Sequence, residues 1–110
     1  MFGLKESDIS TLHQVLASYT SVMEAYIFGS RAKGNFKNGS DVDIAIKGNG
    51  ISYDLVLDIA TYLNEETLMP YRFDVLDYHS INNKELSEHI DRIGILLYKN
   101  NHLEELNAKL

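Results

Sequence analysis

The stretch Asp-Val-Asp-Ile-Ala-Ile-Lys at residues 41–47 alternates with a period of two. That is the repeat of a β-strand and not of a helix. Val42, Ile44 and Ile46 take one face; Asp41, Asp43 and Ala45 take the other. An apolar face this continuous has to be covered, so the pattern predicts an internal strand. The pattern returns in Arg-Phe-Asp-Val-Leu-Asp, residues 72–77, where Phe73 and Val75 alternate with Asp74. If Phe73 and Val75 pack beneath the same cover, Asp74 emerges on the face of Asp41 and Asp43. Asp77 has the opposite parity and is expected on the helix side or at the strand end.

Other segments read as follows. Residues 23–28 predict a strand that stops at Gly29, with a helical turn opening at Ser30. Asn-Phe-Lys-Asn-Gly-Ser at 35–40 is turn-rich. A first helix is expected from a cap at Ser7, with Ile9, Leu12, Leu16 and Tyr19 on one face. Residues 52–66 predict a second helix with Leu55, Ile59, Tyr62 and Leu63 inward, and Pro70 falls in the connection after it. A third strand spans 71–78. A further helix over 83–93 has Leu86, Ile90 and Ile93 inward and Gly94 as its stop. Residues 95–98 form a short strand or extend that helix, and 101–110 predict an amphipathic final helix through Leu103, Leu106 and Leu110. Alternating strands and helices in 110 residues predict one α/β or α+β domain over 1–110 with a single mixed sheet and helices on one face.

Composition removes several classes of function. The chain has no cysteine, so it has neither disulfides nor a thiolate metal site. No apolar run is long enough to span a membrane, and the N-terminus lacks a signal-peptide pattern. A cytoplasmic protein is expected. A net charge of −6 argues against general binding to a nucleic acid backbone. Residues 31–47 differ, with Arg31, Lys33, Lys37 and Lys47 against only Asp41 and Asp43. A basic island in an acidic chain suggests a small anionic ligand, although from charge alone an ordinary solvated loop is the better reading.

Asp-x-Asp by itself is common at solvent-facing strand edges. Side chains at i and i+2 of a strand share a face roughly 7 Å apart, and two carboxylates that close repel unless a cation lies between them. Mg²⁺ prefers hard oxygen ligands and is held by few carboxylates together with substrate phosphates. Asp41, Asp43 and Asp74 on one face are enough for two Mg²⁺ ions, a clamp suited to phosphoryl displacement. Gly29 lets the chain turn and a ligand approach closely. Ser30 offers a hydroxyl and backbone N–H groups to a phosphate, and Arg31 and Lys33 are placed to neutralise it.

The order of these pieces resembles the polymerase β-like nucleotidyltransferase superfamily, and most closely its small MNT-type minimal members. The carrying residues are Gly29-Ser30-Arg31-Ala32-Lys33-Gly34, then Ser40-Asp41-Val42-Asp43, then Phe73-Asp74-Val75-Leu76-Asp77-Tyr78, and 92–98 as the C-terminal strand. Lys33 stands where the family often has arginine, a point charge in place of a bidentate contact. The resemblance implies a palm-like fold and metal ligation and catalysis by Asp41, Asp43 and Asp74. It also implies a nucleotide site formed by Gly29, Ser30, Arg31, Lys33 and Ser40, with ATP as substrate. It implies too a role as antitoxin to a HEPN RNase toxin, silenced by attaching AMP to a tyrosine, in a homo-oligomer or a hetero-oligomer with HEPN.

The chain is too short to enclose an acceptor, which has to come from a partner or a second copy. Two other readings are an antitoxin that neutralises its partner by binding alone, and an aminoglycoside-type transferase acting on a small molecule. The second lacks any segment to enclose its substrate. His13, His79, His89 and His102 show no ligand spacing, and His13 and His89 read as helix-surface or boundary residues. Tyr26, Tyr62 and Tyr98 are expected in the core. Tyr53, Tyr71 and Tyr78 are candidates for base stacking or a partner surface.

Overall fold

The computed structural model describes residues 1–100. The chain runs α1 (Glu6–Ala17), β1 (Val22–Phe28), α2 (Gly29–Lys33), β2 (Val42–Gly48), α3 (Tyr53–Thr61), β3 (Phe73–Asp77), α4 (Lys84–Ile93) and β4 (Ile95–Lys99). A π-helical turn, Tyr62–Glu66, prolongs α3, and a 3₁₀ turn, Tyr78–Ser80, follows β3. The helix expected over 101–110, and His102, lie outside the described residues.

One four-stranded mixed sheet has the order β3-β2-β1-β4. β1 is antiparallel to both β2 and β4, whereas β2 and β3 run parallel with α3 as their crossover. The alternation in β2 is realised as read. Val42, Ile44 and Ile46 are fully buried in the main core with Leu12 and Leu16 of α1, Ile59 of α3, Leu63 and Phe73. Ala45 faces the other way and packs with Phe28 and Ile90 in a second, smaller cluster. The expectation of helices on one face therefore holds for α1 and α3, which cover the main core. α4 instead lies on the opposite face, where Ile90, Leu86 and the sheet residues Phe28, Ala45 and Leu76 meet. This matters for the site, because the aspartates share that face.

Three local expectations change. α1 is not capped by Ser7: its cap is Lys5, two residues earlier, and the Lys5 N–H donates to Asp8 Oδ2 at 3.0 Å. Tyr19 lies beyond the end of α1, and its hydroxyl donates to Asp58 Oδ2 at 2.7 Å. Burial and that carboxylate push the Tyr19 pKa up to about 12. Tyr62 is 45% exposed, because it opens the wider π-helical turn, which shifts the phase of the inward face so that Leu63 fills the core.

β3 is an edge strand, and edges invite unwanted pairing. Asn64 on the π-helical turn blunts it: its amide donates to the Phe73 carbonyl at 2.9 Å and its oxygen accepts the Phe73 N–H at 2.8 Å. Asn64→Ala leaves both backbone groups without a partner. The expected loss is about 1–2 kcal/mol in urea unfolding, with no loss of nucleotide affinity beyond what β3 fraying causes.

Candidate active site

The site begins at the junction of β1 and β2. Phe28, the last residue of β1, pairs with Asp43 on β2. The chain then turns through Gly29 at φ +71, a left-handed value that favours glycine. A Cβ added there would collide with Asp43 Oδ2. Two independent constraints therefore require glycine here, and both bring the backbone of the turn against the Asp43 carboxylate. α2 follows at once and ends at Gly34, φ +84, whose N–H returns to the Ser30 carbonyl at 3.0 Å.

The carboxylates come from two neighbouring strands. In the parallel β2–β3 ladder Asp43 is the register partner of Asp74, so their Cα atoms are about 4.8 Å apart. Asp41 precedes β2 and is exposed. Burial raises the Asp43 carboxyl above its ordinary value, and the negative charges of Asp74 and Asp41 raise it further, with Arg31 pulling the other way. Such mutual repulsion is what a bound cation relieves. Asp74 is 3.8 Å from Arg72 Nε, a solvent-exposed pair that contributes little. Asp77 does not join them. It sits at the strand end, as its parity allows, and its two oxygens accept from the His79 N–H and the Ser80 hydroxyl.

This donor set fits a hard divalent cation. It offers only oxygen ligands on an open face, and Mg²⁺ takes few protein ligands when phosphates and water supply the rest. Among the described residues no three such side chains already close around a point, so the arrangement is an acidic face and not a finished cage.

The basic island divides in a way the sequence does not reveal. Arg31, expected to touch phosphate, is 3% exposed. Its Nε and Nη2 donate to the Ser40 carbonyl at 3.1 and 2.7 Å, and Nη1 donates to the Phe2 carbonyl at 2.9 Å. The guanidinium also lies over the rings of Phe36 and Tyr71, at 5.0 and 5.1 Å from their centroids. Three of its N–H groups and its ring contacts are committed inward, which makes Arg31 a strut that fixes the 34–41 loop. Ser40 is drawn into the same role. Its carbonyl serves Arg31, and its hydroxyl oxygen accepts the Lys37 N–H at 3.0 Å. Lys47 spreads its charge over Tyr26 and Tyr78, at 4.9 and 4.3 Å from the centroids. Of the residues expected at phosphate, Gly29 lies against Asp43, and Ser30 and the exposed Lys33 follow it on α2.

His89, expected at a helix surface or boundary, is half-buried on α4 and reaches the glycine turn. From α4, its Nε2 accepts the Gly29 N–H at 3.3 Å, while its ring meets Phe28 edge-on. No local pattern marks it, since the contact joins residues sixty apart in sequence. Among the tyrosines, Tyr71 packs on the core and donates to Asp8 Oδ2 at 3.0 Å. Tyr78 donates to Asp91 at 2.6 Å, and Tyr53 is 80% exposed on α3. An open groove of about 680 Å³ between α3 and β3, lined by Leu57, Thr61, Asn64, Arg72 and Asp74, reaches the acidic face only through Asp74.

A glycine turn set against Asp43, with Asp74 beside it on the neighbouring strand and Asp41 just before β2, belongs to a mixed-sheet α/β domain of nucleotidyltransferase type. The sequence profile of the family described as polymerase beta nucleotidyltransferase matches residues 10–103. The chain belongs to that family. No curated protein matches it at the sequence level. Its fold is similar to that of a toxin–antitoxin crystal structure with AMP-PNP, at 23% identity and TM-score 0.69 over 96% of this chain and 82% of that one. It is also similar to a structure of the tri-AMPylated Shewanella oneidensis HEPN toxin in complex with MNT antitoxin, at 21% identity and TM-score 0.62 over 96% and 79%. A Sulfolobus solfataricus protein described as a candidate nucleotidyltransferase shares 26% identity at TM-score 0.52 over 86% and 79%. Among the described residues no helix is long and apolar enough to cross a membrane.

Proposed function

We propose that the chain transfers AMP from ATP to a hydroxyl, that of a tyrosine, on a HEPN-type toxin partner and thereby acts as its antitoxin. The observation that carries the reading is the register pairing of Asp43 with Asp74, with Gly29 lying against Asp43. It supports the reading because a ligand bound at the Gly29 turn would meet the Asp43 carboxylate and its neighbour Asp74. The similar folds solved as toxin–antitoxin complexes, one with AMP-PNP and one with an AMPylated toxin, supply the partner class and the nucleotide.

Asp41, Asp43 and Asp74 would hold Mg²⁺, two ions in the full arrangement, and the metal supplies charge neutralisation at the triphosphate. Gly29 and Ser30 bind the β- and γ-phosphates, and Lys33 adds charge from the exposed side of α2. Asp74, at the edge strand and open to solvent, takes the acceptor's proton. The acceptor oxygen bonds to the α-phosphorus as the bond to the bridging oxygen of pyrophosphate breaks. Pyrophosphate leaves with that electron pair. The rate enhancement comes from positioning and electrostatics.

The test is label transfer. The protein is mixed with Mg²⁺, ATP labelled at the α-phosphate and the protein encoded by the neighbouring gene, with the Asp41→Asn, Asp43→Asn double variant in parallel. Label on the partner, dependent on the aspartates, is the expected result. Tight binding without label would favour an antitoxin that acts by occlusion.

A further inference from the structure

We propose that His89 is a positioning residue of the nucleotide site, a placeholder that holds the Gly29 N–H until a phosphate oxygen takes it. The inference rests on the nucleotidyltransferase reading and names a residue which that reading does not use. Gly29 N–H has one acceptor among the described residues, His89 Nε2. At 3.3 Å the bond is at the long end of hydrogen-bond range. Accepting this N–H leaves the ring proton on Nδ1. The same glycine lies against Asp43 Oδ2, so a phosphate at this amide would sit beside a metal-site carboxylate. An anionic phosphate oxygen is a stronger acceptor than a neutral imidazole, so exchange of partners is downhill.

Two features allow the ring to leave. α4 is held on this face through a small cluster in which only Phe28, Ala45 and Ile90 are buried, whereas the main core fixes α1 and α3. The ring itself is only partly buried, and it rests edge-on against Phe28, with centroids 6.3 Å apart. It can turn aside without opening the main core. Phosphate and imidazole then compete for one donor. The free protein keeps its phosphate turn satisfied at the cost of some nucleotide affinity.

The experiment measures binding of a non-hydrolysable ATP analogue with Mg²⁺ by calorimetry to the parent, His89→Ala and His89→Gln. His89→Ala removes the competitor, and its affinity is expected to rise about fivefold, the worth of one ordinary net hydrogen bond. His89→Gln restores an acceptor and is expected to fall back toward the parent, an outcome that a merely structural role would not give. In the parent, the Gly29 amide and His89 imidazole nitrogen resonances are expected to shift together as the analogue is added. That reading stands even if His89→Ala folds poorly. Equal or weaker binding by a folded His89→Ala, or an imidazole signal unmoved while the analogue binds, overturns the placeholder and leaves the nucleotidyltransferase reading intact. No Mg²⁺-dependent binding by the parent overturns both.

Discussion

Arg31→Ala lowers the stability of the protein by about 3 kcal/mol or more, read as a drop in the urea midpoint and a fall of roughly 10 °C or more in Tm. The size follows from what the guanidinium does. Three of its donor nitrogens end on the backbone carbonyls of Ser40 and Phe2, and both are left without a partner when it goes. Its faces lie against Phe36 and Tyr71, so removal also opens a gap between two rings in a position only 3% exposed. Arg31→Lys recovers little, because a point ammonium cannot serve a planar fork and two ring faces at once. The Ser40 carbonyl is the anchor that brings the loop back to Asp41, so nucleotide affinity falls with the fold and not ahead of it. Near-parent stability with lost nucleotide binding would return Arg31 to the phosphate and remove the strut.

The strands and their polarity were readable because their information is local. A period of two in 41–47 and again in 72–77 assigns each side chain to a face, and the sheet pairs Asp43 with Asp74 as that parity requires. Asp77 was separable for the same reason. Helix α4 was legible as an element but not in its placement. Its apolar spacing says that it buries a face, and nothing in that spacing says which side of the sheet receives it. Arg31 shows another limit. A buried arginine and a phosphate-binding arginine look alike in Gly-Ser-Arg-Ala-Lys-Gly, and the difference lies in Phe2, Phe36 and Tyr71, which arrive from three other segments. His89 is the extreme case, since its contact with Gly29 exists only through the packing of α4 on β1.

Asp43→Asn is the substitution with the largest expected effect on activity, a fall in AMP transfer of roughly a hundred- to a thousandfold, with the fold retained. Asp43 faces Asp74 directly and lies under Gly29, so of the three carboxylates it is the one that would meet both a cation held with Asp74 and a phosphate held at the turn. The stability of the metal-free protein is expected to move the other way. The folded state holds the Asp43 proton more tightly than the unfolded chain, because burial and the charges of Asp74 and Asp41 raise the carboxyl above its ordinary 3.8. Its stabilising contribution is therefore complete below that value and is lost as pH rises through the raised one. At neutral pH the parent carries the full repulsion and the Asn variant does not. The variant should equal or exceed the parent in Tm without metal, and its stability should be flatter over the acidic range. Adding Mg²⁺ should raise the parent's Tm through preferential binding to the folded state and leave the variant nearly unmoved. A parent insensitive to Mg²⁺, or a variant that gains as much as the parent, would detach Asp43 from the metal. Activity that survived the substitution would detach it from transfer as well.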